Sequence, residues 1–138
     1  MPDRPLLDGI TVLDLASVGP AVRASRWLAD WGADVVKVGP VPKDAGVQIV
    51  PPAYAYSAQR GMRRVLLDLK SDGGRGAFLR LAADADVVIE SFRPGAVDRL
   101  GIGFDDVSTV NPGIVYCSTT GYGQTGPRSG WAGHDLNY

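Results

Sequence analysis

Apolar positions along this chain fall into short runs, some with strand-like and some with helix-like spacing, punctuated by glycine and proline. Ile10-Thr11-Val12-Leu13-Asp14-Leu15 is β-branched and mostly apolar, which predicts a buried strand closed by Gly19-Pro20. From Ala21 to Trp31, the side chains of Val22, Trp27, Leu28 and Trp31 fall near one helical face, and Gly32 supplies a stop. That spacing assigns Trp27 and Trp31 to the core or to an interface. Asp34-Val35-Val36-Lys37-Val38 reads as a second strand, ended by Gly39-Pro40. Strand, short helix and strand in succession make a βαβ unit, with parallel strands and a right-handed crossover.

Pro40 to Gly61 contains four prolines and no clean period, so a long surface loop is expected there. Arg64 to Leu69 predicts a strand, and Ser71-Asp72 caps a helix with Phe78, Leu79 and Leu81 facing inward. Asp86 to Phe92 is another strand. Pro94 suits the first turn of a short helix reaching Leu100, and Asp105 or Asp106 starts one more helical turn before Asn111-Pro112-Gly113. Ile114 to Thr119 is a final strand running into the glycine-rich segment Thr120 to Pro127. The order predicts an α/β protein with a Rossmann-like, doubly wound, mostly parallel sheet. Ligands of such sheets bind beyond the carboxyl ends of the strands. Those ends are Ser17 to Pro20, Gly39-Pro40, Ser91-Phe92-Arg93 and Ser118 to Gly123.

Composition narrows the classes. The 138 residues amount to a single domain, 1–138, able to bury a genuine core. Fourteen basic residues against fifteen acidic ones leave no field for a nucleic-acid backbone, so no nucleic-acid partner is expected. Cys117 is the sole cysteine, which excludes an internal disulfide framework and a Cys-rich zinc site; it is expected as a buried small apolar residue. With one histidine and no ligand cluster, no metal is expected. No run of 18 apolar residues occurs and the amino-terminal stretch lacks a signal core, so the expectation is a cytoplasmic protein without a membrane partner.

Several residues carry candidate chemistry. Gly121-Tyr122-Gly123-Gln124-Thr125-Gly126 matches the dinucleotide fingerprint letter for letter, but Pro127 to Gly130 break the helix that should follow. The better reading is a loop, with Thr120, Gly121 and Gly123, whose backbone N–H groups approach an oxygen-bearing ligand. His134 is suited to proton transfer near neutral pH, with Asp135 or Asn137 to orient it, or else is structural. Arg93 ends a strand at the ligand edge, where it either binds phosphate or pairs with Glu90 or Asp98. Arg60, Arg63 and Arg64 form a basic cluster that is either a solvated face or a phosphate site. Asp14 reads as a strand-end hydrogen-bonding residue.

Taken in order, these segments resemble a family. Leu7-Asp8-Gly9-Ile10-Thr11-Val12-Leu13-Asp14, Gly19-Pro20, and Leu28-Ala29-Asp30-Trp31-Gly32-Ala33-Asp34-Val35-Val36-Lys37-Val38 are similar to the family III CoA-transferases, which include the α-methylacyl-CoA racemases. Leu67-Asp68-Leu69-Lys70, Glu90-Ser91-Phe92-Arg93-Pro94-Gly95 and Gly121 to Pro127 extend the likeness over nearly the whole chain. Ala132-Gly133-His134-Asp135-Leu136-Asn137-Tyr138 resembles the racemase branch, where a histidine at this place is one of two acid/base residues.

The resemblance implies an acyl-CoA thioester substrate, with coenzyme A entering as part of the substrate and no covalently bound cofactor. It implies His134 as the catalytic residue, Arg60 and Arg93 near the CoA nucleotide, and an interlocked homodimer in the full-length form. Three activities follow: exchange of the α-proton of a 2-methylacyl-CoA, transfer of CoA between carboxylic acids through an aspartyl mixed anhydride, or a noncatalytic assembly module needing a partner chain. Departures accompany the likeness. Gly39 stands where an acidic residue is usual, Gln59 where asparagine is common, and the downstream aspartate of the family lies past Tyr138. The chain is therefore expected to be an amino-terminal part, inactive alone.

Overall fold

The computed structural model describes residues 4–17, 19–42 and 59–133. The elements run β1 (Thr11–Asp14), α1 (Pro20–Asp30), β2 (Asp34–Gly39), β3 (Arg63–Leu66), α2 (Asp72–Ala83), β4 (Val87–Glu90), α3 (Ala96–Arg99), α4 (Phe104–Val110) and β5 (Val115–Ser118). Five parallel strands form one sheet in the order β3-β2-β1-β4-β5. The chain steps outward from β1 through β2 to β3, then crosses back and steps outward through β4 and β5. This is the Rossmann-like arrangement expected, and its direction reverses between β1 and β4.

Both faces of the sheet are covered, which explains why the central strands are apolar at successive positions instead of alternating. On one face Leu13, Val36, Val38 and Val88 pack with Phe78 and Ala82 of α2, Val97 of α3 and Val107 of α4. On the other, Val12, Val35 and Ile89 meet Ala21 and Val22 of α1.

Local chemistry sets the helix ends. Pro20 occupies the first turn of α1, where its missing N–H costs nothing. Gly32, at φ +101°, ends that helix against Pro5, which any β-carbon would strike. Ser71 Oγ accepts from Gly74 N at 3.0 Å and caps α2. Gly74 is itself required, because a side chain there would collide with the carbonyl of Asp68. Asp106 accepts from Gly103 N at 3.1 Å at the start of α4.

Five expectations need correction. The strands exist, but β1, β4 and β5 are shorter at both ends, β2 runs one residue further to Gly39, β3 spans Arg63–Leu66 instead of reaching Leu69, and the final helical turn is a two-turn helix, α4. The inward face of α1 is Ala21, Val22 and Ser25, leaving Trp27 57% and Trp31 52% exposed. Small residues let this helix approach the sheet closely, and the tryptophans point away. Leu81 is likewise exposed, since α2 buries Phe78 and Ala82 one turn apart. Cys117 is exposed, not buried. Its register with Ile89 puts it on the α1 side of β5, and α1 packs on β1, β2 and β4. Most of the loop expected from Pro40 to Gly61 lies outside the described residues.

Candidate functional site

At the carboxyl end of β4 the chain is tied down by a buried acid. Glu90 is 1% exposed, and its Oε2 accepts from the backbone N of Phe92 at 2.6 Å. The carbonyl of Glu90 accepts from Thr119 N at 2.9 Å and from Thr119 Oγ1 at 3.0 Å. These bonds clamp the exits of β4 and β5 together, so the segment Ser91 to Pro94 lies beside Thr120-Gly121. Between them opens a cleft of about 180 Å³, walled by Ser91, Arg93, Thr120, Gly121, Trp131 and Gly133 among others.

The cleft is polar in the right places for an anionic ligand. Arg93 is exposed, and among the described residues it has no ion pair; neither Glu90 nor Asp98 holds it. Thr120 Oγ1 is buried without a hydrogen-bond partner among the described residues. Buried hydroxyls are ordinarily satisfied, so this one fits a polar ligand atom. Trp131 stands at the lip, its face 5.2 Å from the Arg128 guanidinium carbon and its ring edge-on to Tyr122 with centroids 6.1 Å apart.

A second polar cluster lies at the ends of β1 and β2. Asp14 is 0% exposed; its Oδ1 accepts from Ala16 N at 2.7 Å and its Oδ2 from Lys37 Nζ at 3.0 Å. The first bond fixes the turn leading from β1 toward α1. Burial pushes the Lys37 ammonium below its ordinary value, Asp14 opposes that shift, and Arg64 adds to it. Asp14 is the strand-end hydrogen-bonding residue expected. Its partner Lys37 was not, although a lysine inside Val35-Val36-Lys37-Val38 was the available signal.

The residues singled out from the sequence divide. Arg93, Thr120 and Gly121 come together in the cleft. Gly123 has φ +86° in the loop beyond it. Arg60 sits in the turn before β3, at that strand's amino end, where its carbonyl accepts from Arg26. Arg63 pairs with Asp34. His134 lies outside the described residues, although Gly133 lines the cleft. Among the described residues there is no group of three or more His, Cys, Asp or Glu placed to hold a metal, and no helix long and apolar enough to cross a membrane. Sequence reasoning missed the structural part of Glu90, whose role depends on two backbone partners that spacing does not reveal.

Fold and cleft together define a Rossmann-like α/β protein with a cleft at the carboxyl rim of its sheet. The chain belongs to CoA-transferase family III, whose pattern matches residues 7–138. It is 38% identical to the succinate–glutarate CoA-transferase of Agrobacterium fabrum over 98% of this chain and 37% of that protein. It is 35% identical to the human alpha-methylacyl-CoA racemase over 96% of this chain and 32% of that protein. A crystal structure of a CAIB/BAIF family protein from Brucella suis superposes with a TM-score of 0.86 at 37% identity, covering 96% of this chain and 38% of that one. The chain thus spans about a third of the length of the proteins it matches.

Proposed function

We propose that this chain supplies the nucleotide-binding part of an acyl-CoA-processing enzyme and that His134 exchanges the α-proton of a 2-methylacyl-CoA thioester. The observation that carries the CoA reading is that Arg93 and the Thr120 hydroxyl, neither with a partner among the described residues, meet in a cleft at the carboxyl ends of β4 and β5. A guanidinium there matches a phosphate oxygen, and the glycine-rich backbone after β5 admits a polar chain close to it. The thioester carbonyl acidifies its α-proton, and positioned donors stabilise the enolate that forms. In this reading His134 gives or takes the proton on one face of the α-carbon, and a carboxylate from the longer protein serves the other. An interlocked homodimer of that longer protein is part of the same proposal, whereas Arg60, at the amino end of β3, faces the opposite rim of the sheet from this cleft.

A second reading has support of its own: most of the relatives compared carry CoA-transferase names. In that chemistry an aspartate attacks the thioester carbonyl, a mixed anhydride forms and the CoA thiolate departs, to be passed to a second acid. One experiment separates them. A 2-methylacyl-CoA is incubated in deuterated water with the protein, alone and joined to the carboxyl-terminal portion of a relative. Deuterium at the α-carbon supports proton exchange. Labelled CoA appearing on a free carboxylic acid, with no exchange, contradicts it in favour of transfer.

A further inference from the structure

Two buried acids end the strands that flank the reversal of the sheet. Asp14 is the last residue of β1 and Glu90 the last of β4. Each accepts from the backbone N two residues on, Asp14 from Ala16 at 2.7 Å and Glu90 from Phe92 at 2.6 Å. The turns that leave both strands are thus set by the same device, but the two charges are handled differently. Lys37 neutralises Asp14. Glu90 has no ion pair among the described residues, although Arg93 stands three positions along the chain.

A carboxylate buried without a cation is costly, and a guanidinium so near in sequence is the obvious compensation. The fold forgoes it. The acid turns inward to the Phe92 amide, while Arg93 is exposed and lines the cleft. Thr119 holds the Glu90 carbonyl with two bonds, so the turn is fixed by β5 on one side and by the carboxylate on the other. We propose that Glu90 is the positioning residue of this cleft: it sets the Ser91–Arg93 turn through the Phe92 amide and leaves the Arg93 guanidinium to an anionic group of the ligand. This assignment rests on the CoA reading above. Glu90 acts through Arg93 and touches no ligand; a carboxylate turned toward the cleft would repel an anion and compete for the guanidinium. Such a second layer, locked before the ligand arrives, spares binding the entropy of ordering the turn.

Calorimetric titration of the full chain with acetyl-CoA tests it, using Glu90→Gln, Glu90→Met and Arg93→Ala, each checked by circular dichroism for the parent's fold. Glutamine keeps an oxygen for the Phe92 amide, so Glu90→Gln should bind within about threefold of the parent. Methionine keeps the volume but not the acceptor, and Glu90→Met should bind about tenfold or more weakly. Because that loss runs through Arg93, Glu90→Met combined with Arg93→Ala should bind no more weakly than Arg93→Ala alone, which a merely structural effect would not produce. Three results overturn the role and leave the CoA reading standing: Glu90→Met at parental affinity, losses that add in the double variant, or Glu90→Gln binding about tenfold more tightly than the parent, the mark of repulsion relieved. A parent that binds no acetyl-CoA overturns both. Amide exchange covers the case in which Glu90→Met does not fold. The Phe92 amide should be protected in the parent before ligand is added, and Glu90→Gln should retain that protection; rapid exchange at Phe92 in the parent overturns the role.

Discussion

Lys37 Nζ donates to Asp14 Oδ2 at 3.0 Å, joining the carboxyl ends of β1 and β2 on the α1 side of the sheet, with both side chains shut away from water. Breaking a buried pair by removing one partner leaves an uncompensated charge, whereas replacing both with apolar groups of similar volume is often neutral. Asp14→Ala should cost roughly 3–5 kcal/mol in chemical denaturation, and Asp14→Leu combined with Lys37→Met should recover most of that. Burial lowers the Lys37 pKa from 10.5, so between the folded value and 10.5 the unfolded chain holds the proton more tightly. Stability therefore rises with pH through that window, and Lys37→Met should abolish the rise.

Tyr116 gives the opposite slope. Burial, aided by the carboxylates of Glu90, Asp98 and Asp106, pushes its phenol above the ordinary 10.0. The folded state then holds the proton more tightly than the unfolded one, so this contribution is complete below pH 10.0 and is lost as pH rises beyond it. Tyr116→Phe should flatten the alkaline loss in urea titrations. It should also cost about 1–3 kcal/mol at neutral pH, because Ile102 O loses the hydroxyl it accepts from at 2.9 Å.

Phe78 anchors the other layer. It is 0% exposed and packs among Leu13, Val88, Ile102 and Val107. Phe78→Ala should destabilise by roughly 3–5 kcal/mol in the same assay, with Phe78→Leu costing markedly less.

Arg93 should behave the other way round. It is exposed and has no ion pair among the described residues, so Arg93→Ala should leave thermal stability within about 0.5 kcal/mol of the parent. Its effect should appear in CoA affinity, reduced about tenfold or more by calorimetry.

The parts of the fold visible in sequence were those fixed by local pattern. The succession of elements and the parallel pairing followed from apolar runs alternating with helical segments, and Ser71 marked the start of its helix as local capping chemistry requires. What failed was partner choice across the fold. The tryptophans of α1 carry the largest apolar area on that helix, yet Ala21, Val22 and Ser25 face inward because close packing on the sheet selects size over hydrophobicity. Cys117 is exposed because β5 extends beyond the cover of α1, a fact of topology absent from its neighbours in sequence. Arg93, Thr120 and Gly121 share one cleft because each follows the carboxyl end of a strand, a position the sequence pattern marks. The couplings of Lys37 to Asp14 and of Thr119 to Glu90 join residues 23 and 29 positions apart, beyond any local signal.

The central claim is that a CoA thioester docks on the carboxyl rim of the sheet between the exits of β4 and β5. Amide chemical-shift mapping of the isotope-labelled chain during titration with acetyl-CoA tests it directly. The account predicts saturable shifts at Ser91, Phe92, Arg93 and Thr120-Gly121, weakened in Arg93→Ala. Shifts confined to the amino-terminal rim near Gly32 and Asp86, or a cleft that stays silent at saturating ligand, would contradict it.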